Sequence, residues 1–139
     1  MPTTLFCVLP EPARPLLNKF YRDHKSPMRS PTQAQLWVAK KPEIVGALCL
    51  TAVATGHWLT GLFVAPSLRG QNIASDLIQE AVAHAVGPVW LFCNPGLLNL
   101  YQRGGFQLNP SLPGALADRF ERYCRTKSLI AMGRSSGPF

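Results

Sequence analysis

LTGLFVAPSLRGQNIASDL, residues 59–77, changes its period halfway along. Up to Val64 it belongs to an apolar, strand-like run, residues 57–64, that stops at Val64-Ala65-Pro66. From Ile73 onward the apolar residues recur at helical spacing: Ile73, Leu77, Ile78, Ala81, Val82 and Ala85 lie opposite Asp76, Gln79, Glu80 and Ala83. Residues 73–86 therefore read as an amphipathic helix. Between strand and helix stands Arg69-Gly70-Gln71-Asn72-Ile73-Ala74, a turn whose small residues let the backbone approach a ligand. The first free amides of a helix point out of such a turn together with the positive end of its dipole, which suits a pyrophosphate. An ordinary strand-to-helix turn, with Gly70 present for its backbone freedom, explains the same residues equally well.

Outward from this segment the punctuation is regular. Gly87-Pro88 stops the helix, and residues 89–93 (VWLFC) form a continuous apolar run fit for a buried strand parallel to 57–64. Upstream, residues 35–39 and 43–53 read as strands joined at Lys40-Lys41-Pro42-Glu43, and Ala54-Thr55-Gly56 leads into 57–64, an antiparallel meander. A first strand at 3–9 precedes a helix at 15–23, with Leu16, Leu17, Phe20 and Tyr21 on one side, and residues 25–32, with Pro27 and Pro31, are a break or a short second helix. Downstream, 96–103 reads as a short helix ended by Gly104-Gly105. The last strands are 106–108 and 128–133, with a helical segment at 113–125 between them. The order predicts a mixed α/β (α+β) fold three layers deep.

The 139 residues, 47% hydrophobic and 15% charged, suit one packed domain covering 1–139. No apolar run approaches the ~20 residues of a membrane-crossing helix, and the start of the chain has no signal-peptide pattern, so a cytoplasmic protein with no membrane partner is expected. Cys7, Cys49, Cys93 and Cys124, like His24, His57 and His84, are scattered, and no metal site can be read from them. The net charge of +7 favours polyanions, whether nucleic acid, membrane surface or phosphorylated cofactor, but no basic run exceeds Lys40-Lys41.

The run from Phe63 to Ile78 resembles the acyl-CoA motif of the GNAT-type N-acetyltransferase superfamily: a strand ending V-x-P, then R-G-x-G-x-G/A, then an amphipathic helix. Further on, NPGLLNLYQRGGF, residues 94–106, resembles that family's second signature, N-x-x-A-x-x-L-Y-x-x-x-G-F. Asn72 takes the usual second-glycine place, Leu97 a usual small residue, and Val89 stands where members acetylating protein N-termini carry a catalytic Glu. The resemblance implies a three-layer domain with a central mixed, mostly antiparallel sheet of about six or seven strands flanked by helices. It also implies acetyl-CoA as co-substrate and an amine-bearing acceptor, small molecule or protein terminus, attacked directly. The backbone of Leu62, Phe63 and Val64 would pair with the pantetheine arm like an added strand. The segment Arg69, Gly70, Gln71, Asn72, Ile73, Ala74 and Ser75 would hold the pyrophosphate, and Asn94 would hydrogen-bond the pantetheine. Tyr101 would be the general acid for the leaving thiolate.

From the residues themselves, His57 has a side chain able to accept the amine proton, or is simply a turn histidine beside Gly56. Tyr101 also fits as a core aromatic, Asn94 as a helix N-cap before Pro95, and Cys93 has no His or Asp near it in sequence to activate it. Three activity classes remain, in this order: an N-acetyltransferase, a catalytically weak or inactive acyl-CoA-binding regulatory protein, and a basic nucleic-acid-binding module. The last lacks a stacking or sequence-reading motif. A homodimer through the last strand and the 134–139 tail is a further expectation.

Overall fold

The computed structural model describes residues 4–135. Its elements are β1 (Leu5–Leu9), α1 (Arg14–Asp23), β2 (Gln35–Lys40), β3 (Ile44–Val53), β4 (Gly56–Val64), α2 (Ile73–His84), β5 (Val89–Cys93), α3 (Leu98–Arg103), β6 (Gln107–Leu108), α4 (Gly114–Cys124) and β7 (Ile130–Arg134). One seven-stranded sheet runs β1-β2-β3-β4-β5-β7-β6. Every neighbouring pair is antiparallel except β4 and β5. The expected mixed, mostly antiparallel sheet is thus present. Of the tail expected to support a dimer, residues 136–139 lie outside the described residues.

Central strands such as β2 read LWVA without polar alternation because both faces of the sheet are covered. Trp37, Leu48, Leu50, Leu59 and Leu91 face α2 and α3, meeting Leu77, Ile78, Tyr101 and Phe106. Leu36, Val38, Ala47 and Cys49 face α1, meeting Leu17, Phe20 and Tyr21. The apolar stripe read for α2 is the buried one, Ile73, Leu77, Ile78, Ala81 and Val82. In α1, by contrast, Leu16 is 54% exposed. Its neighbours Leu17, Phe20 and Tyr21, at i, i+3 and i+4, form the buried stripe, and Leu16 lies about 100° round the helix from Leu17.

Residues 25–32 form no second helix; they are irregular. Pro27 and Pro31 withdraw two amides and push Ser26 and Ser30 toward extended backbone. The segment is instead fastened from α1: Arg14 Nη1 donates to the Pro31 carbonyl at 2.6 Å, and Asn18 Oδ1 accepts from the Ser30 hydroxyl at 3.0 Å.

β4 departs from regular pairing in two ways. It pairs with β5 only at His57↔Val89 and Trp58↔Trp90, so the two parallel strands part beyond Trp58 as a wedge. At the closed end of the wedge the His57 amide donates to the Pro88 carbonyl at 2.9 Å. The second departure is a bulge: Ala47 faces Phe63 while Cys49 faces Thr60, which leaves one extra residue on β4. Gly61 absorbs it with φ +69°. The Tyr21 hydroxyl, fully buried, donates to the Gly61 carbonyl at 2.7 Å and so holds the bulge from α1.

Beside that bond, burial pushes the Cys49 thiol up to about 11 from its ordinary 9.0. Between those values the unfolded chain has lost this proton and the folded one keeps it, so ionisation favours unfolding. Stability is therefore expected to decline as pH rises from about 9 to 11, by up to about 1.4 kcal/mol per pH unit for one such group. Urea unfolding across that range should show the slope, and Cys49→Ala should lessen it, leaving the part that the buried Cys93, Tyr21 and Tyr101 contribute.

Candidate active site

The wedge opens onto the turn between β4 and α2. Pro66–Leu68 makes a single 3-10 turn, then Gly70 takes φ +86° and Asn72 φ 63°, ψ 15°. A Cβ on Gly70 would meet nothing within 4 Å, so glycine serves the backbone angle there and not a close contact. Asn72, in the usual second-glycine place, keeps the left-handed geometry that asparagine tolerates best among side-chain-bearing residues. It offers no side-chain cap to α2. The amides of Ile73, Ala74 and Ser75 therefore start the helix without a capping side chain, at the positive end of its dipole. Arg69 is fixed beside them: its Nε donates to the Val64 carbonyl at 3.1 Å, and its guanidinium lies 5.2 Å from the Phe63 ring centroid.

Between this turn, the β4 edge and α3 lies a cleft of about 470 Å³. It brings together Leu62, Phe63 and Val64, then Arg69, Gly70 and Asn72 to Ser75, and Tyr101 from the far wall. Of the residues read from the sequence, Gln71, Asn94 and His57 do not line it. Leu68, Leu97, Leu100 and Arg103 do, although sequence reasoning assigned none of them to the site. Leu97, Leu100 and Arg103 are spaced i, i+3, i+6, and that helical spacing was the available signal.

The three residues outside the cleft have clear places. Asn94 Oδ1 accepts from the Gly96 amide at 2.8 Å, the capping geometry, and thereby starts the turn that leads into α3. Gln71 is exposed within the loop. His57 sits at the closed end of the wedge, on the same face as Leu59 and Val89, beneath α2. From Leu62 it is about 16 Å along the strand. Its Nδ1 is buried and has no hydrogen-bond partner among the described residues.

Tyr101 is 4% exposed and packs edge-on against Phe106, with ring centroids 5.9 Å apart. Its carbonyl accepts from the amides of Gly104 and Phe106, which ends α3 and fixes the angle at which the ring enters the cleft. Burial, with the Cys93 thiol adding to it, pushes the phenol well above its ordinary value. The hydroxyl thus keeps its proton through the range in which an unperturbed phenol begins to lose it.

On the opposite face of the sheet a second wall borders the wedge. Phe92 stacks with Phe120 and Trp58 at 5.0 and 5.6 Å, and the Arg119 guanidinium lies 5.1 Å from the Trp58 ring centroid. On the α1 side, Phe20 and His24 pack against Phe63 at 5.8 Å each. Phe20 of α1 with His24, and Phe120 of α4, thus flank this wedge, while the 54–56 turn lies at its closed end.

No curated protein sequence matches the chain. Among solved structures, a GNAT-family acetyltransferase from Streptococcus pneumoniae superposes with TM-score 0.70 at 16% identity, over 97% of this chain and 100% of that one. The ribosomal-protein-S18-alanine N-acetyltransferase from Escherichia coli gives 0.68 at 16%, over 99% and 97%. The N-acetylglutamate synthase from Neisseria gonorrhoeae, complexed with coenzyme A and N-acetyl-glutamate, gives 0.67 at 12%, over 98% of this chain and 36% of that one. At these identities the likeness is one of fold. The sequence profile of the acetyltransferase (GNAT) family matches residues 5–106, and the chain belongs to that family.

Proposed function

We propose that this chain is an N-acetyltransferase that moves the acetyl group of acetyl-CoA directly to a primary amine, acting as one domain. Acyl-CoA-dependent N-acetylation is the general chemistry of its family. The observation that carries the reading is convergence: the unpaired β4 edge, the uncapped start of α2 and the Tyr101 phenol all face one cleft. The thioester supplies an activated acyl group. Leu62 to Val64 would pair with the pantetheine arm, and the amides of Ile73 to Ser75 would hold the diphosphate. A backbone N–H freed at the β4 bulge would polarise the thioester carbonyl, and Tyr101 would protonate the departing thiolate. The amine would enter on the face walled by α1 and α4. Four free cysteines fit a reducing compartment such as the cytoplasm. No helix among the described residues is long and apolar enough to cross a membrane.

A thermal shift with acetyl-CoA tests the reading. A ligand held only by the folded state at a hundred times its Kd adds about 2.7 kcal/mol, or a rise of roughly 8 °C for a domain of this size. An unchanged midpoint at millimolar acetyl-CoA would overturn it. One observation favours a regulatory, non-catalytic acyl-CoA binder as the second reading: no carboxylate and no histidine lines the cleft. Saturable CoA binding without thiol release across a broad amine panel would select that alternative.

A further inference from the structure

Among the described residues, the buried side-chain polar atoms that lack a partner all belong to β3 and β4: Thr51 Oγ1, His57 Nδ1, Trp58 Nε1 and Thr60 Oγ1. Thr51 faces Trp58 across the two strands and Thr60 is two residues further along β4, so these three share one face of the sheet. It is the face that α4 covers, since Trp58 meets Phe92, and Phe92 meets Phe120 and Tyr123. Continued by two residues, the register Trp58↔Trp90 sets Thr60 opposite Phe92, where the strands have already parted. Thr60 and Phe92 therefore stand on either side of the gap at its start.

The chemistry of this wall is selective. Its apolar surface is aromatic, and its polar groups can all donate: an indole N–H, two hydroxyls and the Arg119 guanidinium, 5.1 Å from the Trp58 ring centroid. Arg119 forms no ion pair among the described residues. The carboxylates of α4, Asp118 and Glu121, lie on the far side of that helix from the stripe of Leu116, Phe120 and Tyr123. Donors buried without acceptors burden the fold, and a ligand that brings acceptors relieves them. A second ammonium group would meet a guanidinium there and no counter-charge.

We propose that this wall selects the acceptor as a primary amine of the aromatic α-amino acid class, with its ring against Phe92 and Phe120 and its carboxylate on Arg119 and the Thr60 hydroxyl, and that it rejects polyamines. The proposal rests on the N-acetyltransferase reading above and names the acceptor of that same site. Thr60 is about 7 Å along β4 from Leu62, a span that a hydrogen bond and an α-amino acid fill, which brings the amine to the strand edge assigned to the pantetheine arm.

Calorimetric titration of amines into the CoA-saturated protein tests it without recourse to turnover. L-phenylalanine is expected to bind at least about tenfold more tightly than L-alanine or spermidine. Arg119 is exposed, so Arg119→Gln should leave the melting temperature unchanged. It should weaken L-phenylalanine about tenfold and leave 2-phenylethylamine, which has the ring but no carboxylate, within about twofold. Thr60→Val removes a hydroxyl without a protein partner, so the melting temperature should hold or rise while L-phenylalanine binds severalfold more weakly. Spermidine binding as tightly as L-phenylalanine, equal losses of both aryl amines in Arg119→Gln, or a CoA complex that takes up none of these amines would overturn the proposal and leave the acyl-CoA reading standing. Failure of CoA itself to bind would instead remove that reading, and this proposal with it.

Discussion

Tyr101→Phe is expected to lower kcat for acetyl transfer by about a hundredfold or more, the span of a lost general acid, while the Kd for acetyl-CoA stays within about twofold of the wild type. The split follows from the geometry. The ring fills space against Phe106, and its backbone carbonyl closes α3, so phenylalanine preserves both the packing and the helix end. Only the hydroxyl is lost. Because burial holds the phenol proton tightly, the wild-type rate should show no decline attributable to this group as pH rises to about 9.5. Measuring kcat and Kd separately, with free thiol as the product readout, checks both halves. Unchanged turnover in Tyr101→Phe would remove the residue as the acid and return it to the role of a core aromatic.

The second large effect concerns the hinge of the wedge and not its mouth. At Gly56 an added Cβ would stand 2.0 Å from the Pro88 carbonyl oxygen and 2.9 Å from the Trp90 ring. Both obstacles belong to the segment that β4 joins, and the oxygen is backbone that already accepts from the His57 amide. Neither can yield without pulling β4 from β5 where they still pair. Gly56→Ala is therefore expected to cost about 3 kcal/mol, the upper end of overpacking, or a fall of roughly 10 °C in Tm. Gly114→Ala is the control, since its Cβ would meet nothing within 4 Å at the start of α4. Equal melting temperatures for the two variants would show that the closed end of the wedge tolerates displacement.

What could be read in the residues was what has a period or a fixed spacing. The stripe from Ile73 to Val82 and the run from Val89 to Cys93 gave α2 and β5, and the turn ahead of α2 holds the left-handed positions at Gly70 and Asn72. The β4 bulge had only a weak local mark, Gly61 inside an apolar strand, because its cause lies forty residues away in the Tyr21 hydroxyl. His57 shows the same limit from the other side. Its chemistry suited a base, but only strand register could put it beneath α2. The aromatic wall went unread for a similar reason: Phe92 and Phe120 are far apart in sequence, and their contact depends on β7, which follows α4, entering the sheet beside β5.

The parting of β4 from β5 also has a dynamic side. Beyond Trp58 and Trp90 the facing edges of the two strands lack each other's hydrogen bonds, so the amides that point into the gap have no partner strand to slow their contact with water. Amide hydrogen exchange should divide the sheet accordingly, slow along β2 and β3, faster along the inner edges of 61–64 and 91–93. A ligand lying along the gap as an extra strand would erase that division. The unfinished seam in the sheet then becomes the place where occupancy is recorded, amide by amide, whichever acceptor the protein serves.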